Sequence, residues 1–362
     1  MAPTPSPIRF GLIGCGNIGS RHAQVIASLE EATLVAVCNR RLEPAERLGE
    51  EYGAEVYNHY AELLRREDLD VVSIATPSGS HLEPVIAAAE AGKHVICEKP
   101  LEVTLDRVDR MIAACDAAKV LLAAIFPLRF SVGARMARDA IASGRLGPLV
   151  LAEAHLRWWR SQEYYDSGGW RGTWALDGGG VLMNQAIHRL DLLQWIAGPI
   201  DRVSATAGTL AHERIEVEDV AVGLARFQSG ALGSIIATTA TRPGFPSRIG
   251  FYGLKGAIEL EEHAITRWKF DDALPDEEQE VTAMFQEYIL DDQLSSKAVD
   301  ADGHRQQFAD MVSAIRNQRH PEVDGRGGRH AVALVRGLYE SAASGGWVRV
   351  DNSPESSPDE WV

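Results

Sequence analysis

Three glycines spaced Gly14-x-Gly16-x-x-Gly19 join an apolar run, Ile8–Ile13, to an amphipathic stretch at 20–29. This spacing constrains the backbone more than any other feature of the chain. Gly14 suits a tight turn, Gly16 a close backbone approach to a phosphate, and Gly19 tight packing of a helix on a strand. The helix that follows presents unpaired N–H groups at its start, which suits an anion. A loop of this kind ends one strand of a parallel sheet, and parallel strands need crossover helices between them.

The next hundred or so residues keep that promise. Runs at 33–38, 71–75, His94–Cys97 and 120–125 read as buried strands, with amphipathic stretches at 43–52 and 81–91 between them. This predicts an α/β fold: a Rossmann-type, doubly wound parallel sheet over residues 8–126. After Pro127 the pattern changes to longer alternating strands at 149–159, 203–210, 219–227 and 231–240, with a hairpin turn at Gln228-Ser229-Gly230. A further pair, 247–252 and 257–261, turns at Leu254-Lys255-Gly256, and a late helix falls at 329–343. Residues 127–350 therefore read as an α+β domain with a large, mainly antiparallel open sheet, for substrate binding and oligomerisation. The Pro-rich 1–7 and the acidic Ser/Pro segment 351–362 read as flexible tails.

A net charge of −15 argues against nucleic acid or an anionic membrane as partner. No apolar run approaches the roughly 20 residues that span a bilayer. Residues 1–7 lack the basic region and apolar core of a signal peptide, so a cytoplasmic protein is expected. Cys15, Cys38, Cys97 and Cys115 show no paired or zinc-like spacing. Reduced, partly buried thiols and no metal are expected.

The glycine loop assigns Gly14, Gly16, Asn17, Ile18 and Gly19 to a dinucleotide. About 20 residues on, an acid would bond the ribose hydroxyls and repel a 2′-phosphate. This chain has Asn39-Arg40-Arg41 there. Asn39 can bond a hydroxyl, and Arg40 or Arg41 can pair with a 2′-phosphate and stack on adenine. The alternative is a pair of solvated surface arginines. The pattern favours NADP(H) over NAD(H).

Glu98-Lys99-Pro100 closes the strand His94–Cys97, where strand ends face the ligand crevice. A lysine there can bond a substrate hydroxyl; alternatively it is a surface lysine paired with Glu98. With Ala75-Thr76-Pro77, His81, Arg129-Phe130, and Gly178-Gly179-Gly180 followed by His188 and Asp191, the chain resembles the Gfo/Idh/MocA family of sugar and polyol oxidoreductases, over about residues 8–350. The resemblance implies that Lys99 sits beside substrate and nicotinamide, often with a cis Lys-Pro bond. It also implies that Thr76, Pro77, His81, Glu98 and Arg129 belong with the cofactor, and that His188 is catalytic.

On a helix from Val181 to about Ile196, Asn184, His188 and Asp191 are spaced i, i+4, i+7 and so share one face. Spacing alone slightly favours a satisfied core histidine, and the resemblance reverses that order. Many family members carry aspartate at the position of Asn184; asparagine can orient an imidazole but supplies no charge. Upstream lie Arg157-Trp158-Trp159-Arg160, Tyr164-Tyr165 and Trp170-Arg171-Gly172-Thr173-Trp174. Stacking faces beside arginines suit a sugar ring and an anionic group, or else a core. Arg171 and Tyr165 are substrate candidates with Asn184 and Asp191. The run 170–191 is similar to a branch of the family, the UDP-N-acetylglucosaminuronate 3-dehydrogenases, through Asn184-Gln185-Ala186-Ile187-His188.

The resemblance implies an NAD(P)-dependent dehydrogenase acting on a sugar or polyol secondary hydroxyl, as a homodimer or homotetramer. Rival expectations are an inositol, aldose or trans-dihydrodiol dehydrogenase, and a non-catalytic dinucleotide-sensing regulator. Lys99 and His188 together count against the regulator.

Overall fold

A computed structural model describes residues 6–286 and 292–353. The chain divides into two compact units: Met1–Pro127 with Ala301–Arg329, and Leu128–Asp300 with His330–Val362.

The first unit holds a parallel six-stranded sheet of order β3-β2-β1-β4-β5-β6. Its strands are β1 (Ile8–Ile13), β2 (Ala32–Cys38), β3 (Glu55–Tyr57), β4 (Val71–Ile74), β5 (His94–Cys97) and β6 (Leu122–Ala124). The order reverses between β1 and β4, so the carboxyl ends of these two strands open the crevice where such sheets bind ligands. Helices cover the sheet, and Phe10, Leu12, Val37, Val71 and Ile96 are buried, as central parallel strands require.

This unit also takes a segment from late in the chain. Phe308, Met311 and Val312, on the helix Asp292–Asn317, pack in one core with Phe10, Leu12 and Ile26. Gln307 Oε1 accepts the Phe126 N–H at 2.9 Å and its Nε2 donates to Ala124 O at 2.5 Å, which ties that helix to the end of β6. The sequence expectation ended the first domain at 126 and placed 127–350 in the second, with the late helix 329–343 open to either. The structure returns 301–329 to the first unit. Nothing in a helix's own periodicity says which sheet its apolar face will meet.

The second unit holds an eight-stranded sheet of order β13-β12-β11-β7-β10-β9-β8-β14. The strands are β7 (Leu149–Arg157), β8 (Ile200–Gly208), β9 (Val220–Phe227), β10 (Leu232–Thr238), β11 (Arg248–Gly253), β12 (Gly256–Glu261), β13 (Ala264–Phe270) and β14 (Val348–Arg349). All pairs are antiparallel except β7 with β10. Gly230, at φ 93°, turns β9 into β10. In β9, Ala221, Ala225 and Phe227 are buried while Val222 and Leu224 are exposed, so one face of the sheet is packed and the other open.

Of the expected tails, residues 1–5 and 354–362 lie outside the described residues. The described part is tied down: Arg316 Nη2 donates to Ser6 O at 3.2 Å, and Asn352 Nδ2 to Ile200 O at 2.9 Å. Among the described residues no helix is long and apolar enough to cross a membrane.

Candidate active site

The glycine loop follows from steric necessity. Gly14 has φ 100°, and a Cβ there would fall 2.5 Å from Ala75 O, so the β1 end passes the β4 end only as glycine. At Gly19 a Cβ would collide with Gly14 O. Gly16 differs, because nothing lies within 4 Å of where its Cβ would stand. Gly16 caps the helix Asn17–Ala27 with no side-chain bond, and the first turn carries no acid. The helix start is thus open, uncapped and without negative charge, with Gly16, Asn17 and Ile18 exposed. These features fit a dinucleotide diphosphate.

Asn39 is bonded within the loop region. Its Oδ1 accepts the Cys15 N–H at 3.2 Å and its Nδ2 donates to Arg41 O at 2.8 Å. It braces the loop. The Arg40 and Arg41 side chains are exposed and make no hydrogen bond or ion pair with any described residue.

At the end of β5, Lys99 is half-buried and its bond to Pro100 is cis. Its backbone N–H donates to Glu98 Oε2 at 3.0 Å. Glu98 was grouped with the cofactor residues, but it is buried and turned inward. Its Oε1 lies 3.0 Å from His22 Nε2 and 3.8 Å from His304 Nε2. Burial opposes its charge, yet the hydrogen bonds from His22 and His304 outweigh burial and hold the carboxyl well below the usual carboxylate range. Burial pushes His22 down, against the pull of Glu98. A neutral His22 fits both contacts: Nε2–H donates to Glu98, and Nδ1 accepts from Ser73 Oγ at 2.8 Å. Sequence reasoning missed His22 and His304, which carry no motif of their own.

His81 is also buried. Its Nε2 lies 2.9 Å from Thr76 O, and its Nδ1 lies 3.0 Å from Pro100 O and 3.1 Å from Leu101 O. It staples the loop after β4 to the Lys99 turn. Thr76 and Pro77 remain half-buried there, with Thr76 Oγ1 donating to Ser80 O at 3.0 Å.

In the second unit, a π-helical segment, Val181–Ala186, runs into an α-helix, Ile187–Ala197. Asn184 therefore leaves the regular i, i+4 register with His188. It instead pairs with Asp177, whose Oδ1 accepts Asn184 Nδ2 at 2.6 Å and whose Oδ2 accepts the Gly172 N–H at 2.9 Å. His188 is half-buried in the first α-helical turn. The preceding glycines are clamped. Glu218 Oε2 accepts the Gly180 N–H, and its Oε1 accepts the Leu182 N–H and the Tyr339 hydroxyl, each at 2.9 Å. Burial pushes Glu218 up to about 7, despite these three donors.

Two expected substrate residues, Asp191 and Tyr165, are bonded within this unit. Asp191 is buried and bound by Arg129 through Nε at 2.8 Å and Nη2 at 2.5 Å. This fork fixes the orientation of the Arg129 guanidinium. Tyr165 is buried with its hydroxyl 2.8 Å from Thr239 Oγ1, and burial pushes it up to about 12. Its neighbour Tyr164 is half-buried, and Arg171 stacks on it with Cζ 4.9 Å from the ring centroid.

The chain matches the oxidoreductase family with NAD-binding Rossmann fold over residues 8–126, and the GFO/IDH/MocA C-terminal domain over 134–259. It is 29% identical over 332 residues to myo-inositol 2-dehydrogenase of Thermotoga maritima, covering 90% of this chain and 94% of that protein. Its fold matches the WlbA dehydrogenase from Bordetella pertussis, solved with NADH and UDP-GlcNAcA, with TM-score 0.85 and 35% identity over 95% of this chain and 98% of the other. The WlbA enzyme of Chromobacterium violaceum, solved with the same ligands, gives TM-score 0.86 and 32% identity over 98% of each chain. Fold and matches together define a nicotinamide-dependent oxidoreductase acting on CH–OH groups. The chain belongs to the Gfo/Idh/MocA family of sugar and polyol oxidoreductases.

Proposed function

We propose that this enzyme oxidises a secondary hydroxyl of a nucleotide-linked sugar acid, reversibly, with NADP(H) preferred to NAD(H). The Lys99 turn carries the reading. A half-buried lysine follows a sheet end beside the glycine loop's crevice, and its backbone is anchored by an inward-facing Glu98. Similarity to the two WlbA enzymes, whose structures hold UDP-GlcNAcA, supports the substrate class. Arg40 and Arg41, exposed and without an ion-pair partner among the described residues, support a 2′-phosphate on the cofactor.

When bound, the nicotinamide supplies the hydride acceptor or donor. Gly14, Gly16, Asn17, Ile18 and Gly19 would hold its diphosphate, with Thr76 and Pro77 along the crevice. Lys99 donates to the reacting oxygen and stabilises its developing negative charge. His188 takes the hydroxyl proton on oxidation and returns it on reduction. Asn184, held by Asp177, positions His188 or the substrate.

Lys99→Ala should lower turnover by about 10²–10⁴-fold while NADPH fluorescence still reports binding. Near-normal turnover in this variant would sink the assignment. Separate titrations with NADH and NADPH test the cofactor, and an NADH preference above tenfold overturns the role of Arg40 and Arg41. A panel of UDP-sugar acids, myo-inositol and simple aldoses tests the substrate class.

The open face of the second sheet, with Val222, Leu224 and Leu232 exposed, supports a homodimer or homotetramer. Light scattering that finds only monomer would contradict it. The four buried, free cysteines suit a reducing, cytoplasmic setting.

A further inference from the structure

We propose that Arg160 and Arg171, gathered on Tyr164, form an anion subsite that takes a carboxylate or phosphate group of the substrate. The inference rests on the sugar-oxidoreductase reading and deepens it.

Both guanidinium groups stack on one ring, with Cζ 5.3 Å from the Tyr164 centroid for Arg160 and 4.9 Å for Arg171. Arg160 also lies over Trp158, at 5.2 Å, and Arg171 over Trp170, at 4.8 Å. The two like charges share a small aromatic patch, yet neither has a carboxylate partner among the described residues. Elsewhere in this unit Arg129, Arg145 and Arg189 are bound by Asp191, Glu277 and Glu262. The acid nearest in sequence to Arg171, Asp166, is held by Arg214 at 2.7 Å. In a chain of net charge −15, leaving this pair without an acid requires a specific arrangement.

The hydrogen bonds of the pair are few and long: Arg160 Nη1 to Trp159 O at 3.4 Å, and Arg171 Nη1 to Ser167 Oγ at 3.3 Å. The Nε of each is buried and has no acceptor among the described residues. The backbone makes room for them, since a Cβ on Gly168 would come within 2.6 Å of Arg171 Nη1. The patch also adjoins the π-helical segment that leads into the His188 helix: Gln185 Nε2 donates to the Tyr164 hydroxyl at 3.3 Å. Planar guanidiniums with donors to spare bind carboxylates and phosphates through paired N–H groups, and an aromatic support keeps the fork oriented. A sugar whose reacting carbon lies at His188 would extend its charged group toward Arg160 and Arg171.

The test is calorimetric titration of the full-length enzyme with UDP, glucuronate and glucose, repeated on Arg160→Gln, Arg171→Gln and Arg171→Lys. NADH affinity serves as the control for folding. UDP or glucuronate should bind the wild type more tightly than glucose does. Each Arg→Gln change should weaken the anion by about ten- to hundredfold, and Arg171→Lys by less. Loss confined to UDP assigns the subsite to a phosphate, and loss confined to glucuronate assigns it to a carboxylate. Unchanged anion affinity in the variants overturns the proposal. So does a wild type that oxidises neutral sugars yet binds neither anion, and that result leaves the oxidoreductase reading standing. Anion binding that depends on the two arginines, in an enzyme that turns over no sugar, keeps the subsite and removes the reaction.

Discussion

The amide of Asn184 donates to Asp177 Oδ1 across 2.6 Å. A carboxylate therefore stands behind the amide, seven positions earlier in the chain. Asn184→Asp would set two carboxylates against each other, and one must stay protonated in the fold. Its folded pKa then exceeds the unfolded one, so stability present in acid is lost as pH rises. Urea denaturation at acid and alkaline pH should show the variant losing about 1–3 kcal/mol more than wild type at high pH. Parallel stability curves for the two proteins would exclude repulsion at this pair.

Glu98 sits well below the ordinary carboxylate value of 4.5, so its contribution to stability is fully present above that value and fades as pH falls through the lower folded one. Glu98→Gln should cost about 2 kcal/mol at neutral pH, and the gap to wild type should close in acid. It should also lower kcat, since the Lys99 N–H loses its anionic acceptor. A gap that stays constant to pH 3 would show that Glu98 is not an ion in the fold.

Glu218 behaves in the opposite sense. With its carboxyl pushed from 4.5 to about 7, the folded protein holds a proton in that window which the unfolded chain has released. Stability therefore falls as pH rises through the window, by on the order of 3 kcal/mol for this group. Glu218→Gln should flatten that part of the stability curve. An equal slope in both proteins would show that the three donors around the carboxylate win over burial.

Gln307 is buried, and its amide satisfies both Phe126 N–H and Ala124 O. Gln307→Ala leaves both groups with a lost partner in the interior. The expected cost is about 2–4 kcal/mol, read as a shift in the denaturation midpoint. A shift near zero would mean that water replaces the amide.

The parts of the fold legible in sequence were those governed by local rules. Strands β1 and β5 fall on their expected residues, because a continuous apolar run bounded by turn residues reads the same in any context. The three-residue β3 is too short for any period to show, and β13, whose Ala264, Ile265, Trp268 and Phe270 are buried, lies outside the expected strands. At the site, the glycine loop was legible through steric demands that each glycine carries by itself. Arg129 with Asp191, 62 residues apart, and Glu98 with His22, 76 apart, were not legible. Those pairings depend on which strand ends the fold brings together. The π-helical segment hid Asn184's partner too, since spacing arguments assume a regular helix.

The return of residues 301–329 to the first unit bears on how the chain is made. A ribosome that has released only the first 127 residues has delivered a β6 end whose Phe126 and Ala124 lack Gln307, and a core without Phe308 and Met311. The sheet that carries the glycine loop is thus completed only when residues 301–329 have been made. Any exchange of this unit between relatives must carry two separate stretches of coding sequence.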